Sequence, residues 1–255
     1  MSSPVLVITG ASRGIGKAAA LHAIVGCNAR VVAVARNAEL LNQLKEEVAT
    51  KGKQDNLLLV AGDVTDAKVL DKVVEDAVSK WGQIDSVIAN AGVLEPLAPV
   101  ATGSIEEWKR AYDINFFSII ALVQKTLPHV RKAHGSYIMV SSGAASKGYR
   151  GWGAYGSTKA ALNHLTATLS AEEPDITSIA IRPGIVDTGM QKLIREQGKE
   201  SMQDEHQKFI DLYDAGKLVS PEQSGSVLVN LAIKPPHHLS GKFHSWDDEE
   251  LKEYQ

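Results

Sequence analysis

Cysteine is almost missing from this chain. Cys27 is the single one in 255 residues, so no intramolecular disulfide is available and a thiolate metal cluster is not expected. It lies in an apolar stretch and reads as core filler. An excess of one charge is missing too. The 27 Lys and Arg against 30 Asp and Glu leave a net −3, which points neither to a polyanion binder nor to an acidic tail. Long apolar runs are also scarce; residues 119–123, near the middle, are far too few to span a bilayer. No basic region and cleavage site precede the apolar run at Val5, so no secretory signal is expected. The chain reads as a soluble protein of a reducing compartment, most simply the cytoplasm, with neither nucleic acid nor membrane as a partner. No internal repeat or low-complexity tract interrupts it.

What is present is a regular alternation. Apolar, β-branched runs at 5–9, 30–35, 56–61, 86–89, 136–141 and 177–181 are separated by amphipathic stretches such as 38–50 and 67–81. Strands apolar along their whole length, with helices between them, imply a parallel sheet covered on both faces. Right-handed crossovers then give a doubly wound α/β sheet. A helix after Pro221 and a last strand near 241–244 bring the count to about seven strands. The 44% hydrophobic content suits one domain over residues 1–255. Residues 191–216, rich in Lys, Glu, Gln and Asp, read as exposed helices or a mobile insert at about 189–218 that borders a substrate.

The first strand runs into Thr9-Gly10-Ala11-Ser12-Arg13-Gly14-Ile15-Gly16, and a helix is expected to start near Gly16. Glycines there allow a tight turn and close approach of a pyrophosphate, and the helix N-terminus offers free N–H groups to it. The second strand ends in Arg36, where an NAD site carries a carboxylate for the ribose 2′-hydroxyl. Arg36 and Arg13 together suit a 2′-phosphate, hence NADP(H). Further along, Tyr155 and Lys159 sit four apart on a helix expected over 154–169, which places them on one face. A neighbouring ammonium is expected to lower the tyrosine pKa and make the pair a general acid/base. Ser142 or its neighbour Ser141, at the carboxyl end of the fifth strand, is positioned to hydrogen-bond a substrate carbonyl. Asn115, in a helix expected over 105–130, is an amide amid Ile114, Phe116 and Phe117 that needs partners if buried.

The spacing Thr-Gly-x₃-Gly-x-Gly, with Asn90-Ala91-Gly92, Asn115, Ser142, Tyr-x₃-Lys and Pro183-Gly184-Ile185-Val186-Asp187-Thr188 in that order, resembles the short-chain dehydrogenase/reductase family over nearly the whole chain. Ala89 and Thr158 depart from its pattern, where Asn and Ser are usual. The resemblance implies a Rossmann fold, a homodimer or homotetramer, no metal, and hydride transfer between NADP(H) and a small-molecule carbonyl. It assigns the nicotinamide to 183–186, phosphates to Thr188, and the adenine to Asp63 and Val64. Asn90 either touches the cofactor or ties the sheet together, and Gly92 lets the chain pass the adenosine ribose. Asn115 carries either a relay water for Lys159 or a bond within its own helix. Spacing to Tyr155 favours Ser142 over Ser141.

Expected walls for a substrate are Leu94, Glu95, Ala144, Tyr149, Trp152 and Met190, whose apolar character suits an aryl ketone or 1,2-diketone. Within the family the local sequences around Gly92, Trp152 and Met190 are most similar to the fungal benzil-reductase and sepiapterin-reductase branch. Ser245 stands where a pterin reductase has an acid, with Asp247 and Asp248 nearby, which disfavours a pterin. A silent NADP(H) sensor is the reading from another class. The pair His237-His238 reads as part of a loop.

Overall fold

The computed structural model describes residues 3–255. Each apolar run becomes a strand, and each connection carries a helix back across the sheet. The first half runs β1 (Val5–Thr9), α1 (Gly14–Leu21), β2 (Arg30–Ala35), α2 (Ala38–Thr50), β3 (Leu57–Ala61), α3 (Ala67–Trp81) and β4 (Ser86–Ala89). The second runs α4 (Ile105–Tyr112), α5 (Ser118–Ala133), β5 (Ser136–Val140), α6 (Gly153–Glu172) and β6 (Thr177–Arg182). Three helices follow, α7 (Gly189–Gln197), α8 (Lys199–Met202) and α9 (Asp204–Asp214), then α10 (Pro221–Ile233) and β7 (Phe243–Ser245).

The seven strands pair in parallel in the order β3-β2-β1-β4-β5-β6-β7. Sequence order reverses between β1 and β4, so a crevice opens at their carboxyl ends. Alternation along each strand feeds two cores. Leu6, Ile8, Val31 and Ala33 face α1, α2 and α10, whereas Val7, Val32 and Val34 face α3, α5 and α6. Both faces are therefore sealed, as the unbroken apolar strands require.

Local signals fix the helix starts. The Asn37 side chain accepts from the Leu40 N–H, Asp66 caps α3, and Ser220 with Gln223 forms a reciprocal cap at α10. Two expectations change. Residues 105–130 do not form one regular helix: α4 and α5 are joined by a π turn, Asp113–Phe117, centred on Asn115. The segment 191–216 is helical, as one of the two readings has it, but not wholly exposed, since Ile194, Met202 and Phe209 pack with Tyr155 and His206 is buried too. Their spacing spreads one apolar face over three short helices, which a single-helix pattern does not reveal. Smaller shifts place the start of α1 at Gly14 and the last strand at Phe243–Ser245.

Candidate active site

A cavity of about 740 Å³ lies along the carboxyl ends of β1, β2 and β4 and continues to α6. Its first half is the glycine turn. Gly10 and Gly14 adopt φ of +67° and +54°, a region that favours glycine. A Cβ on Gly16 would lie 2.3 Å from the Gly10 carbonyl oxygen and 2.6 Å from the Asn90 amide nitrogen. This packing excludes any side chain at Gly16. It holds the start of α1 against the turn and leaves Gly10, Ser12, Arg13, Gly14 and Ile15 to line the cavity.

Asn90 ties this end together. Its Nδ2 donates to the Thr9 carbonyl (2.9 Å), and the Thr9 hydroxyl accepts from the Asn90 and Ala91 N–H groups, both at 3.0 Å. Asn90 therefore ties the sheet together, and with Ala91 it also lines the cavity. The Thr188 methyl packs over Gly14, and Gly189 lies beside the Arg13 guanidinium. Pro183 and Thr188 reach the cavity; Gly184, Ile185 and Val186 do not line it. Gly184 (φ +88°) is boxed in by Val219 and Trp246, which explains glycine there.

Arg36, Asp63 and Val64 line the far end with Ala35, Asn37, Leu40 and Gly62, four residues that the motif reading did not single out. Their only sequence signal is adjacency to Arg36 and Asp63. The Arg36 guanidinium stands 4.0 Å from the Asp63 carboxylate, with both side chains well exposed. Such a pair contributes little and leaves Arg36 able to turn. Although burial raises it, the Asp63 carboxyl is held below its ordinary pKa by the Thr65 N–H and hydroxyl, with Arg36 and Arg110 nearby.

The chemical end is drier. Tyr155 and Lys159 project from α6 and are 7% and 3% exposed. The Lys159 ammonium donates to the Val140 carbonyl at 2.7 Å and lies 5.8 Å from the Tyr155 ring centre. Burial lowers its pKa to about 8. Tyr155 departs from expectation: burial raises its pKa, and only the nearby Ser142 hydroxyl pulls the value down. In this geometry the phenol is a protonated donor at neutral pH.

The two serines differ in place and partners. Ser142 Oγ accepts from the Ala144 N–H at 3.1 Å and does not line the cavity, whereas Ser141 lines it and its Oγ donates to Asn163 at 2.6 Å. The Asn115 side chain is fastened. Its Oδ1 accepts from the Val93 N–H and its Nδ2 donates to the Val93 carbonyl, both at 2.8 Å, with Thr158 Oγ1 at 3.2 Å. It thus bonds neither its own helix nor an exposed surface, but the chain just past β4. A Cβ on Gly92 would meet Asn115 Oδ1 at 3.2 Å and Lys159 Nζ at 3.7 Å, so this glycine serves the chemical end of the cavity.

Of the expected walls, Leu94, Glu95 and Met190 line the cavity with Leu193. Tyr149 and Trp152 do not; they stack behind Tyr155 with Phe209. Asp247 and Asp248 lie outside the cavity, and Asp247 accepts from the Ser245 hydroxyl at 2.5 Å. Among the described residues no cluster of three metal-ligating side chains occurs, and no helix is long and apolar enough to cross a membrane.

Known proteins share this architecture. A family model described as short chain dehydrogenase matches residues 4–199. Benzil reductase ((S)-benzoin forming) of Saccharomyces cerevisiae is 38% identical over 259 residues, covering 97% of each chain. The crystal structure of a short-chain dehydrogenase/reductase from the same yeast superposes with a TM-score of 0.94 at 40% identity, over 99% of this chain and 100% of that one. L-sorbose reductase from Gluconobacter frateurii, solved with NADPH and L-sorbose, gives 0.83 at 27% identity, over 96% and 95%.

Proposed function

The chain belongs to the short-chain dehydrogenase family, and from that membership we propose that it is an NADPH-dependent reductase of ketones and 1,2-diketones with hydrophobic bulk. One observation carries the reading. A buried Tyr155, backed by the Lys159 ammonium, closes a cavity whose other end carries Arg13 and Arg36.

The residues present fit the cofactor. The Gly16 packing leaves the cavity side of the turn bare, and the α1 N-terminus with Arg13 suits phosphates. Arg36, the residue after β2 and with no carboxylate in its place, suits the 2′-phosphate. Asp63 and Val64 would border the adenine, Lys159 the nicotinamide ribose, Pro183 the nicotinamide and Thr188 the phosphates. The NADPH complex of L-sorbose reductase supports this choice. When bound, NADPH supplies the hydride that reduces the carbonyl carbon.

The chain's own groups do the rest. Ser142 and Tyr155 hydrogen-bond the carbonyl oxygen and orient it, and Tyr155 gives that oxygen its proton. Lys159 stabilises the phenolate left behind and passes on the replacement proton, on a path that Asn115 holds in place through Val93. Leu94, Met190 and Leu193 beside Tyr155 favour an apolar substrate, and the benzil reductase relatives support a diketone. Asp247 and Asp248 lie off the cavity, so nothing favours a pterin, and the complete Ser142, Tyr155 and Lys159 set argues against a silent sensor. We place the protein in the cytoplasm as a homodimer or homotetramer; the half-exposed Phe117 on the π turn beside α5 supports a partner there. Parallel turnover assays with NADPH and NADH against benzil, aryl ketones and sepiapterin test the reading. NADPH-linked benzil reduction is expected, and a preference for NADH or for sepiapterin would overturn it.

A further inference from the structure

The aromatic group behind Tyr155 belongs to two parts of the chain. Trp152 precedes α6 and meets the Tyr155 ring edge-on, with centroids 5.9 Å apart and planes at 87°. Its indole is 7% exposed, and a buried indole N–H needs an acceptor. The acceptor is the Met202 sulfur at the end of α8, 3.2 Å away. Phe209 of α9 packs on the same indole at 5.4 Å.

Three more contacts bind the turn before Trp152 to those helices. The Arg150 N–H donates to Glu205 Oε2 at 2.7 Å. Gly151, at φ +77°, lies so close to Ser201 that a Cβ would stand 2.9 Å from the serine Cβ. Tyr149 meets Phe209 edge-on at 6.2 Å. From α6 outward, the order of contact is thus Tyr155, Trp152, then Met202 and Phe209.

We propose that Trp152 is a positioning residue for Tyr155, fixed through Met202 so that productive placement of the phenol depends on the docking of α8 and α9. The inference rests on the reading of Tyr155 as the proton donor. A ring held on its edge by a second ring cannot tilt without losing that contact, and the second ring is itself fixed by its N–H. Losing the sulfur leaves a buried donor unpaired and loosens the indole. The phenol then samples orientations in which its proton misses the carbonyl oxygen, so turnover falls while cofactor binding is untouched.

The experiment uses the full chain as Trp152→Phe, Met202→Leu and the double variant, with benzil and NADPH. Met202→Leu conserves volume and removes the acceptor, so it carries the test even if Trp152→Phe fails to fold. Each single variant is expected to lose kcat about tenfold with an unchanged Kd for NADPH and an unmoved alkaline limb of kcat against pH, since that limb follows Lys159. The double variant is expected to be no worse than Trp152→Phe, because both changes break one contact. Unchanged kcat in the folded Met202→Leu protein, or losses that multiply in the double variant, would overturn the inference. Tyr155→Phe separates the two levels. If it is inactive while Trp152 and Met202 variants keep full kcat, only the positioning role fails; if it is fully active, the proton-donor reading fails as well.

Discussion

The Lys159 ammonium donates to the Val140 carbonyl across 2.7 Å, pinning α6 to the last residue of β5. This bond keeps a cation in a site where burial lowers its pKa to about 8. Holding the charge there has a cost that depends on pH. Between pH 8 and the ordinary lysine value near 10.5, the unfolded chain binds the proton and the folded chain has released it. Stability contributed by this group therefore rises with pH across that window, and below it the full penalty of about 3 kcal/mol applies.

Lys159→Met removes that penalty and leaves the Val140 carbonyl unpaired, which costs about 1–3 kcal/mol. At pH 7 the variant is expected to melt at or above the wild-type temperature while losing at least about 100-fold in turnover. Its relative advantage should shrink as pH rises from 8 to 10.5. Melting curves across that range, beside kcat, check both halves.

Loss of the same ammonium sets the pH profile. With Tyr155 held protonated by burial, reductive kcat should be flat through neutrality and decline above about pH 8 as Lys159 discharges. Initial rates at saturating substrate from pH 6 to 10 test this; a decline that begins on the acid side would contradict it.

Arg36→Ala removes a charge-assisted contact and is expected to raise the KM for NADPH about 10–100-fold, leaving that for NADH within about twofold. Arg13→Ala should do likewise, with some loss for both cofactors because Arg13 also lies in the glycine turn. KM values for both cofactors decide the matter.

The two adjacent serines should separate cleanly. Ser142→Ala is expected to lower kcat about 100-fold or more by removing a donor to the carbonyl oxygen. Ser141→Ala breaks only the bond to Asn163, costing about 1 kcal/mol of stability with kcat retained. Thermal melts and kcat for both variants read this directly.

Much of this was legible in the residues. The helices at Ala38–Thr50 and Ala67–Trp81 and the strands at β1, β2 and β4 stand where pattern placed them, because apolar periodicity and caps such as Asn37 and Asp66 are local. The glycine turn was legible for the same reason. What stayed hidden is non-local. That Asn115 bonds Val93, that Ser141 bonds Asn163, and that Trp152 meets Met202 all depend on elements that are brought together only by the sheet. The tyrosine pKa followed the same rule: sequence gives the neighbouring lysine, but the degree of burial comes from packing.

The central claim is that Tyr155 delivers the proton in an NADPH-linked carbonyl reduction. The most direct measurement is single-turnover oxidation of bound NADPH by benzil in wild type and Tyr155→Phe, with NADPH affinity measured on both. The account predicts equal affinity and a rate lower by at least about 100-fold in the variant. Equal rates in the two proteins would contradict it.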